Sequence, residues 1–97
     1  MAAYLIAQID VTDPAAYDRY RQLVAPTLVP YGGRFMVRGG RIEAVEGDPP
    51  QRVVVLEFDS METARRWYDS PEYAGPKAIR LGASRSRAFF VEGLPPG

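Results

Sequence analysis

Two segments of this 97-residue chain carry apolar side chains on both faces of a predicted β-strand. Residues 53–56 are all apolar within a predicted strand at 51–59, and residues 88–91 are all apolar within another at 85–92. Unbroken runs of β-branched and aromatic residues are typical of strands that are covered on both sides. Whatever this chain folds into must therefore cover both faces of a sheet.

Period-two alternation predicts two further strands, at residues 3–11 and 34–38. In the second of these, Phe35 and Val37 share one face. Residues 42–46 follow a pair of glycines and form either a short strand or an irregular continuation. The sequence thus predicts one sheet of four strands.

Capping signals predict a first helix that begins at Pro14, directly after Asp13. An aspartate accepts hydrogen bonds from the free N–H groups of a first turn, and proline suits the first helical position. Pro26 has no backbone N–H, so this helix is expected to kink or to end near Ala25.

The second helical region begins after the N-cap candidate Ser60. Residues 70–71 repeat the cap-then-proline signal and predict a short further helix, disturbed at 75–76 and resumed over 77–81. The resulting order is strand, helix, strand, strand, helix, strand. It predicts a ferredoxin-like α+β fold, with an antiparallel sheet and its helices on one face.

One layer of helices leaves the other face of such a sheet in water. Two helices, each about 10 Å across, cover only one side of a four-stranded sheet. A lone chain would then expose an apolar row such as Val54, Leu56, Phe58 or Phe90. We therefore expect a homodimer packed sheet face to sheet face. The alternative is a monomer whose loops or tail cover the sheet.

The chain contains no Cys and no His, and its 12 basic residues balance its 12 acidic residues. Without those two residue types there is no thiolate nucleophile, no disulfide, no Ser-His-Asp triad and no His-ligated haem or zinc. The zero net charge gives no general attraction to nucleic acid. We expect no metal, no cofactor and no nucleic-acid partner.

No apolar run is long enough to span a membrane, and the amino-terminal residues lack the basic region of a signal peptide. The sequence therefore predicts a cytoplasmic protein with no membrane partner. Its length predicts a single domain over residues 1–97, with a loose tail at 93–97.

In a chain without His and Cys, proton transfer falls to Asp, Glu, Tyr and Lys. Glu57 lies in an apolar strand, where a carboxylate must be paired or have a perturbed pKa, and it is the candidate base. Arginine can hold a carboxylate, and aromatic side chains stack on flat organic molecules. The ligand-binding candidates of these types are Tyr20, Arg38, Trp67, Tyr68, Tyr73 and Arg80.

Each candidate also has a structural interpretation. Tyr20 and Trp67 at helical spacing suit a core or an interface, and Arg38 and Arg80 could pair with carboxylates at the surface. Two functions stay open: binding or transforming a small anionic or aromatic molecule without a cofactor, or a non-catalytic dimerisation or stress-associated module. A cavity where Arg38 or Arg80 meets Tyr and Trp side chains would favour the first.

The combined pattern resembles a known family through its short motifs. These motifs are YDRY at 17–20, YGGRFMVRGG at 31–40, EG at 46–47, VLEF at 55–58, ARRWY at 64–68 and SPEY at 70–73, with Arg80 after them. The chain is similar over nearly its whole length to the bacterial domain-of-unknown-function family numbered 1330, within the dimeric α+β barrel superfamily.

This resemblance implies a ferredoxin-like protomer and a face-to-face dimer, and it implies no established activity. Haem-binding members of the superfamily use His, and monooxygenase members that oxidise aromatic polyketides favour Asn, Trp and Tyr. The present chain has neither His nor Asn, so those mechanisms do not carry over intact.

Overall fold

A computed structural model describes residues 1–95 of the chain. Its elements are β1 (Ala3–Val11), α1 (Pro14–Leu28), a single 3-10 turn (Val29–Tyr31), β2 (Arg34–Arg38), β3 (Arg52–Phe58), α2 (Met61–Tyr68), α3 (Pro71–Ala83) and β4 (Ser84–Glu92). Residues 93–95 lack regular secondary structure, and residues 96–97 of the expected loose tail lie outside the described part. Within the described residues, no helix is long and apolar enough to cross a membrane.

The four strands form one antiparallel sheet in the order β2-β3-β1-β4. Strands β1 and β3 occupy the centre, and β2 and β4 form the edges. The helices pack on one face of the sheet, where the core forms. The predicted ferredoxin-like α+β fold is confirmed.

Local capping signals place the helix starts. The side chains of Asp13, Ser60 and Ser70 each accept a hydrogen bond from the backbone N–H three residues further on. The expectation that α1 could end near Ala25 is wrong, because α1 continues through Pro26 to Leu28. Proline removes one donor there, and burial of the following turn, which includes Leu28, keeps the chain helical.

The second helical region is longer than expected. Helix α3 runs without interruption through Gly75 and Pro76 to Ala83, although these two residues were expected to disturb it. Residues 42–46 form no strand, so the irregular alternative holds for the segment between β2 and β3.

A β-bulge at Met36 changes the faces of β2. Pairing with β3 shifts register between Phe35 and Val37, so Phe35 and Arg38 both point to the helix side of the sheet. Strict alternation had placed them on opposite faces. A bulge adds one unpaired residue and thereby reverses the alternation beyond it.

The outer face of the sheet is apolar at its centre, and none of the helices in residues 1–95 lies over it. The expectation that a row such as Val54, Leu56, Phe58 or Phe90 stays exposed is wrong, because the register turns these residues toward the helices. The opposite face instead carries these apolar side chains: Ile6, Val37, Val53, Val55, Phe89 and Val91. Alternation defines two faces of a strand but not which of them the helices cover.

Candidate functional site

A cavity lies on the helix side of the sheet, between β1, β3 and the helices α1 and α3. The space open to the centre of a water molecule is about 30 Å³, which is room for one or two waters. Most of its wall is apolar. Among the described residues, four arginines and no carboxylate reach this cavity: Arg21, Arg38, Arg52 and Arg80.

The inner end of the cavity holds a chain of three polar side chains. Nε of Arg80 donates to the hydroxyl of Tyr73 at 3.2 Å, and that hydroxyl lies 2.8 Å from the hydroxyl of Tyr20. Helix α1 supplies Tyr20 and helix α3 supplies the other two residues, so packing of these helices assembles the chain. All three side chains are buried.

Arg80 is a buried cation held by neutral groups. It is only 4% exposed, and its other partners are the hydroxyl oxygens of Ser86 at 2.8 Å and Tyr68 at 3.4 Å. Within residues 1–95 it forms no ion pair. A buried charge without a counter-ion is costly, which makes this position attractive to an anion.

Burial and the neighbouring tyrosine oxygens shift the pKa values of Tyr20 and Arg80. Burial first, and then the neighbouring Tyr73 hydroxyl, raise the pKa of Tyr20 far above its ordinary value. For Arg80, burial opposes the charged form, but the oxygens of Tyr73, Tyr20 and Tyr68 outweigh it and raise its pKa. At neutral pH the inner end therefore presents the guanidinium cation of Arg80 and the protonated phenol of Tyr20.

One of the two tyrosine hydroxyl protons in this chain is not used in the hydrogen bond between Tyr20 and Tyr73. Tyr20 and Tyr73 carry two O–H protons between them, and the contact that joins their oxygens uses only one. The Tyr73 oxygen accepts from Arg80, so it needs no second donor. The remaining O–H can donate to an oxygen atom inside the cavity.

Trp67 forms part of the cavity wall but offers no free hydrogen bond. Its ring stacks on Tyr73 with ring centres 4.0 Å apart, and its side chain is fully buried. Nε1 of Trp67 donates to Oγ1 of Thr27 at 3.0 Å. The indole therefore contributes an apolar surface.

The other sequence candidates have different positions. Tyr68 borders Arg80 from outside the cavity and packs against Phe90. Arg38 reaches the cavity because of the bulge in β2; its guanidinium lies 4.2 Å from the centre of the Phe35 ring and donates to the carbonyl oxygen of Arg21 at 3.0 Å.

Glu57, the candidate base, does not join this cluster. It lies on the outer face of the sheet, where its carboxylate accepts from Nε of Arg34 at 3.0 Å and from the hydroxyl of Tyr4 at 3.1 Å. Its register opposite Tyr4 and Arg34 places it there. The hydrogen bonds to Tyr4 and Arg34 therefore explain how this carboxylate is accommodated in an apolar strand.

Sequence reasoning missed Arg52, which lines the cavity. Its Nε donates to the hydroxyl of Tyr17 at 3.0 Å, and its side chain lies on the same face of β3 as Val54 and Leu56. The available signal was the period of two: an arginine in phase with buried residues of the same strand faces the core side.

Solved structures of other proteins share the fold of this chain. A protein of unknown function from Rhodopseudomonas palustris is 17% identical, with a TM-score of 0.80 over 98% of this chain and 84% of its own. A dimeric ferredoxin-like protein of unknown function from a Jannaschia species is 13% identical, with a TM-score of 0.71 over 96% of this chain and 100% of its own. The cofactor-independent oxygenase SnoaB from Streptomyces nogalater is 14% identical, with a TM-score of 0.61 over 98% of this chain and 95% of its own.

Among curated proteins, none matches this chain. One family model does match, and it spans residues 2–94, nearly the whole length. The chain belongs to the family described as a domain of unknown function, DUF1330.

Proposed function

We propose that this protein binds a small organic anion, a phenolate, enolate or carboxylate, in the cavity between the sheet and α1 and α3. The observation that carries this proposal is the buried Arg80 guanidinium, which is 4% exposed and held only by hydroxyl groups. An anionic oxygen at this end would supply the missing counter-charge. Charge-assisted hydrogen bonds are about twice as strong as neutral ones.

The other parts of the cavity support the same ligand class. The free phenol proton at Tyr20 and Tyr73 is a donor to the same oxygen, and the face of Trp67 and the aliphatic side chains suit an apolar body. Binding is proposed without a catalytic step, because the candidate base Glu57 lies on the other face of the sheet.

Titration with 4-nitrophenol tests this proposal, since its absorbance separates the phenol from the phenolate. We expect the bound molecule to ionise at a lower pH than the free one, because the inner end favours the anion. Arg80→Gln should return the ionisation toward the free value, and Tyr73→Phe should weaken binding by about tenfold, the loss of one strong hydrogen bond.

The matched control is Arg66→Gln, which removes an exposed guanidinium on α2 that does not line the cavity. It should leave both the affinity and the ionisation of the bound probe unchanged. Equal effects of Arg66→Gln and Arg80→Gln, or an absence of any perturbed ionisation in a folded wild-type protein, would contradict an inner anion site.

We also propose that the protein is a homodimer formed through the outer face of the sheet. Phe89 is 47% exposed and Val91 is 41% exposed on this face, which has no helix over it. Contiguous apolar surface of this kind marks an interface. The dimeric ferredoxin-like neighbour from Jannaschia supports this assembly. A dimer formed through the outer face does not cover the cavity, which lies on the opposite face of the sheet.

A further inference from the structure

Two of the cavity's arginines close its outer end by bridging from the sheet to α1. Arg52 reaches from β3 to the hydroxyl of Tyr17 at 3.0 Å, and Arg38 reaches from β2 to the carbonyl oxygen of Arg21 at 3.0 Å. Their strands are neighbours, and Arg38 is opposite Val54, two residues from Arg52 on the same face. The two guanidinium groups therefore form one basic outer end.

Both bridging arginines bind only neutral oxygen atoms. Within the described part of the chain, neither forms an ion pair, whereas Arg34 and Arg21 each pair with a carboxylate. A ligand carboxylate could replace a carbonyl or phenol oxygen as their acceptor and convert neutral hydrogen bonds into charge-assisted ones.

The chain leaves space for Arg52 by placing a glycine beside it. A Cβ atom at Gly39 would collide with the guanidinium of Arg52, and Gly39 has a φ of +68°, which other residues adopt rarely. The guanidinium thus lies directly against the backbone after β2.

The register of the sheet gives the backbone separation of the residues at the outer and inner ends. Arg52 is opposite Ile9, and Ile9 is opposite Ser86, whose hydroxyl accepts from Arg80. Arg52 and Ser86 are therefore two strand spacings apart, about 10 Å. Apolar side chains of β1 lie between them, including Ala7 and Ile9.

We propose that Arg52 and Arg38 are specificity-determining residues that select a ligand with two acidic groups at opposite ends of one aromatic ring, an aromatic hydroxy-carboxylate. The carboxylate binds at Arg52 and Arg38, and the hydroxyl or its anion binds at Tyr20, Tyr73 and Arg80. This assignment rests on the proposed function, since it adds a second anchor to the same cavity.

Entry of such a ligand requires the two bridges to open. The closed cavity has room for only one or two waters, whereas ligand pockets typically enclose several hundred Å³. Arg38 is exposed and Arg52 is half-buried, so both side chains can swing outward without unfolding a strand. The same guanidinium groups then close over the bound carboxylate.

Isothermal titration calorimetry with three probes tests the assignment. They are 4-hydroxybenzoate, its neutral analogue 4-hydroxybenzyl alcohol, and 2-hydroxybenzoate, whose two groups are adjacent and cannot span the cavity. In the wild type, 4-hydroxybenzoate should bind at least tenfold more tightly than either of the others, the gain from charge-assisted bonds at the outer end.

The variants separate the two ends of the cavity. Arg52→Gln and Arg38→Gln should each lower the affinity for 4-hydroxybenzoate by about 10- to 100-fold. Their affinity for 4-hydroxybenzyl alcohol should stay within about twofold of the wild-type value. Arg80→Gln should lower the affinity for both 4-hydroxybenzoate and 4-hydroxybenzyl alcohol. Arg19→Gln, an exposed arginine on α1 outside the cavity lining, should change neither.

The role of the outer arginines would be overturned if the wild type bound 4-hydroxybenzoate and the alcohol with equal affinity. It would also be overturned if Arg52→Gln lowered the affinity for both probes by the same factor. If 4-nitrophenol still showed its Arg80-dependent ionisation, the inner anion site would stand and only this second anchor would fail. If no probe bound a folded wild type, both proposals would be wrong.

Discussion

The hydrogen-bond partners of the buried Arg80 guanidinium are hydroxyl groups rather than a carboxylate. Each of its three nitrogen atoms donates to one hydroxyl, of Tyr73, Ser86 or Tyr68, but none of these partners carries a compensating negative charge. Hydrogen-bond satisfaction removes much of the cost of burying a polar group, but it does not cancel the charge. At the scale of the single residue, this is the strongest reason to expect a ligand.

Tyr20 should make stability depend on pH in the alkaline range. Burial and the Tyr73 hydroxyl raise its pKa in the folded state, above the ordinary value of 10.0. The stabilising contribution is complete below that value, where both states hold the proton. It declines above pH 10, because the unfolded state then loses a proton that the folded state keeps.

Urea denaturation between pH 9 and pH 11 measures this effect. The free energy of unfolding of the wild type should fall above pH 10, and Tyr20 should account for up to about 1.4 kcal/mol per pH unit of that slope. Tyr20→Phe should have a shallower slope than the wild type over the same pH range. Identical slopes in wild type and Tyr20→Phe would show that Tyr20 ionises freely.

At the scale of the element, one serine joins two helices. The hydroxyl of Ser70 donates to the carbonyl oxygen of Trp67 at the end of α2 and accepts from the N–H of Tyr73 in the first turn of α3. The distances are 2.7 Å and 3.2 Å. This buried cap orients the two helices that carry Trp67, Tyr73 and Arg80.

Ser70→Ala should destabilise the protein by about 1–2 kcal/mol, because it removes an N-cap and leaves the buried N–H of Tyr73 without its side-chain acceptor. Thermal or urea denaturation measures the loss. Ser60→Ala is the matched variant: it removes the cap of α2 at a half-buried position, where water can replace the hydroxyl, and should cost less. A larger loss in Ser60→Ala than in Ser70→Ala would contradict a joining role for Ser70.

The bulge in β2 shows where sequence patterns stop being informative at this scale. Alternation correctly indicated a strand at 34–38, yet it put Phe35 and Arg38 on opposite faces. One extra residue at Met36 brings both to the cavity side. Bulges depend on pairing with a neighbouring strand, so the residues of β2 alone do not reveal this one.

At the scale of the whole molecule, the two faces of the sheet have separate roles. The helix side encloses the candidate site, and the outer side presents the apolar surface of the proposed dimer interface. Glu57 pairs with Arg34 and Tyr4 on that outer side. Changes to one face are therefore expected to leave the other intact.

Phe89→Asp should convert the proposed dimer into single chains. Size-exclusion chromatography with light scattering at micromolar concentration should give twice the chain mass for the wild type and one chain mass for the variant, since a buried unpaired carboxylate opposes association. Leu23→Asp, at a 47% exposed position on α1, should stay dimeric. A wild-type mass of one chain would contradict the dimer, and ligand binding by Phe89→Asp would still test the cavity.

Local patterns were enough to predict the strands, the helix starts at Asp13, Ser60 and Ser70, and the ferredoxin-like order of elements. Caps and alternation involve neighbours in the chain, so they are readable from the residues alone. Only the tertiary structure decided three other features. They are the face of the sheet that the helices cover, the position of Arg38 on the same face as Arg52, and the contact between Tyr20 and Tyr73. These depend on strand register and on pairs 53 residues apart, and no local pattern encodes such pairings.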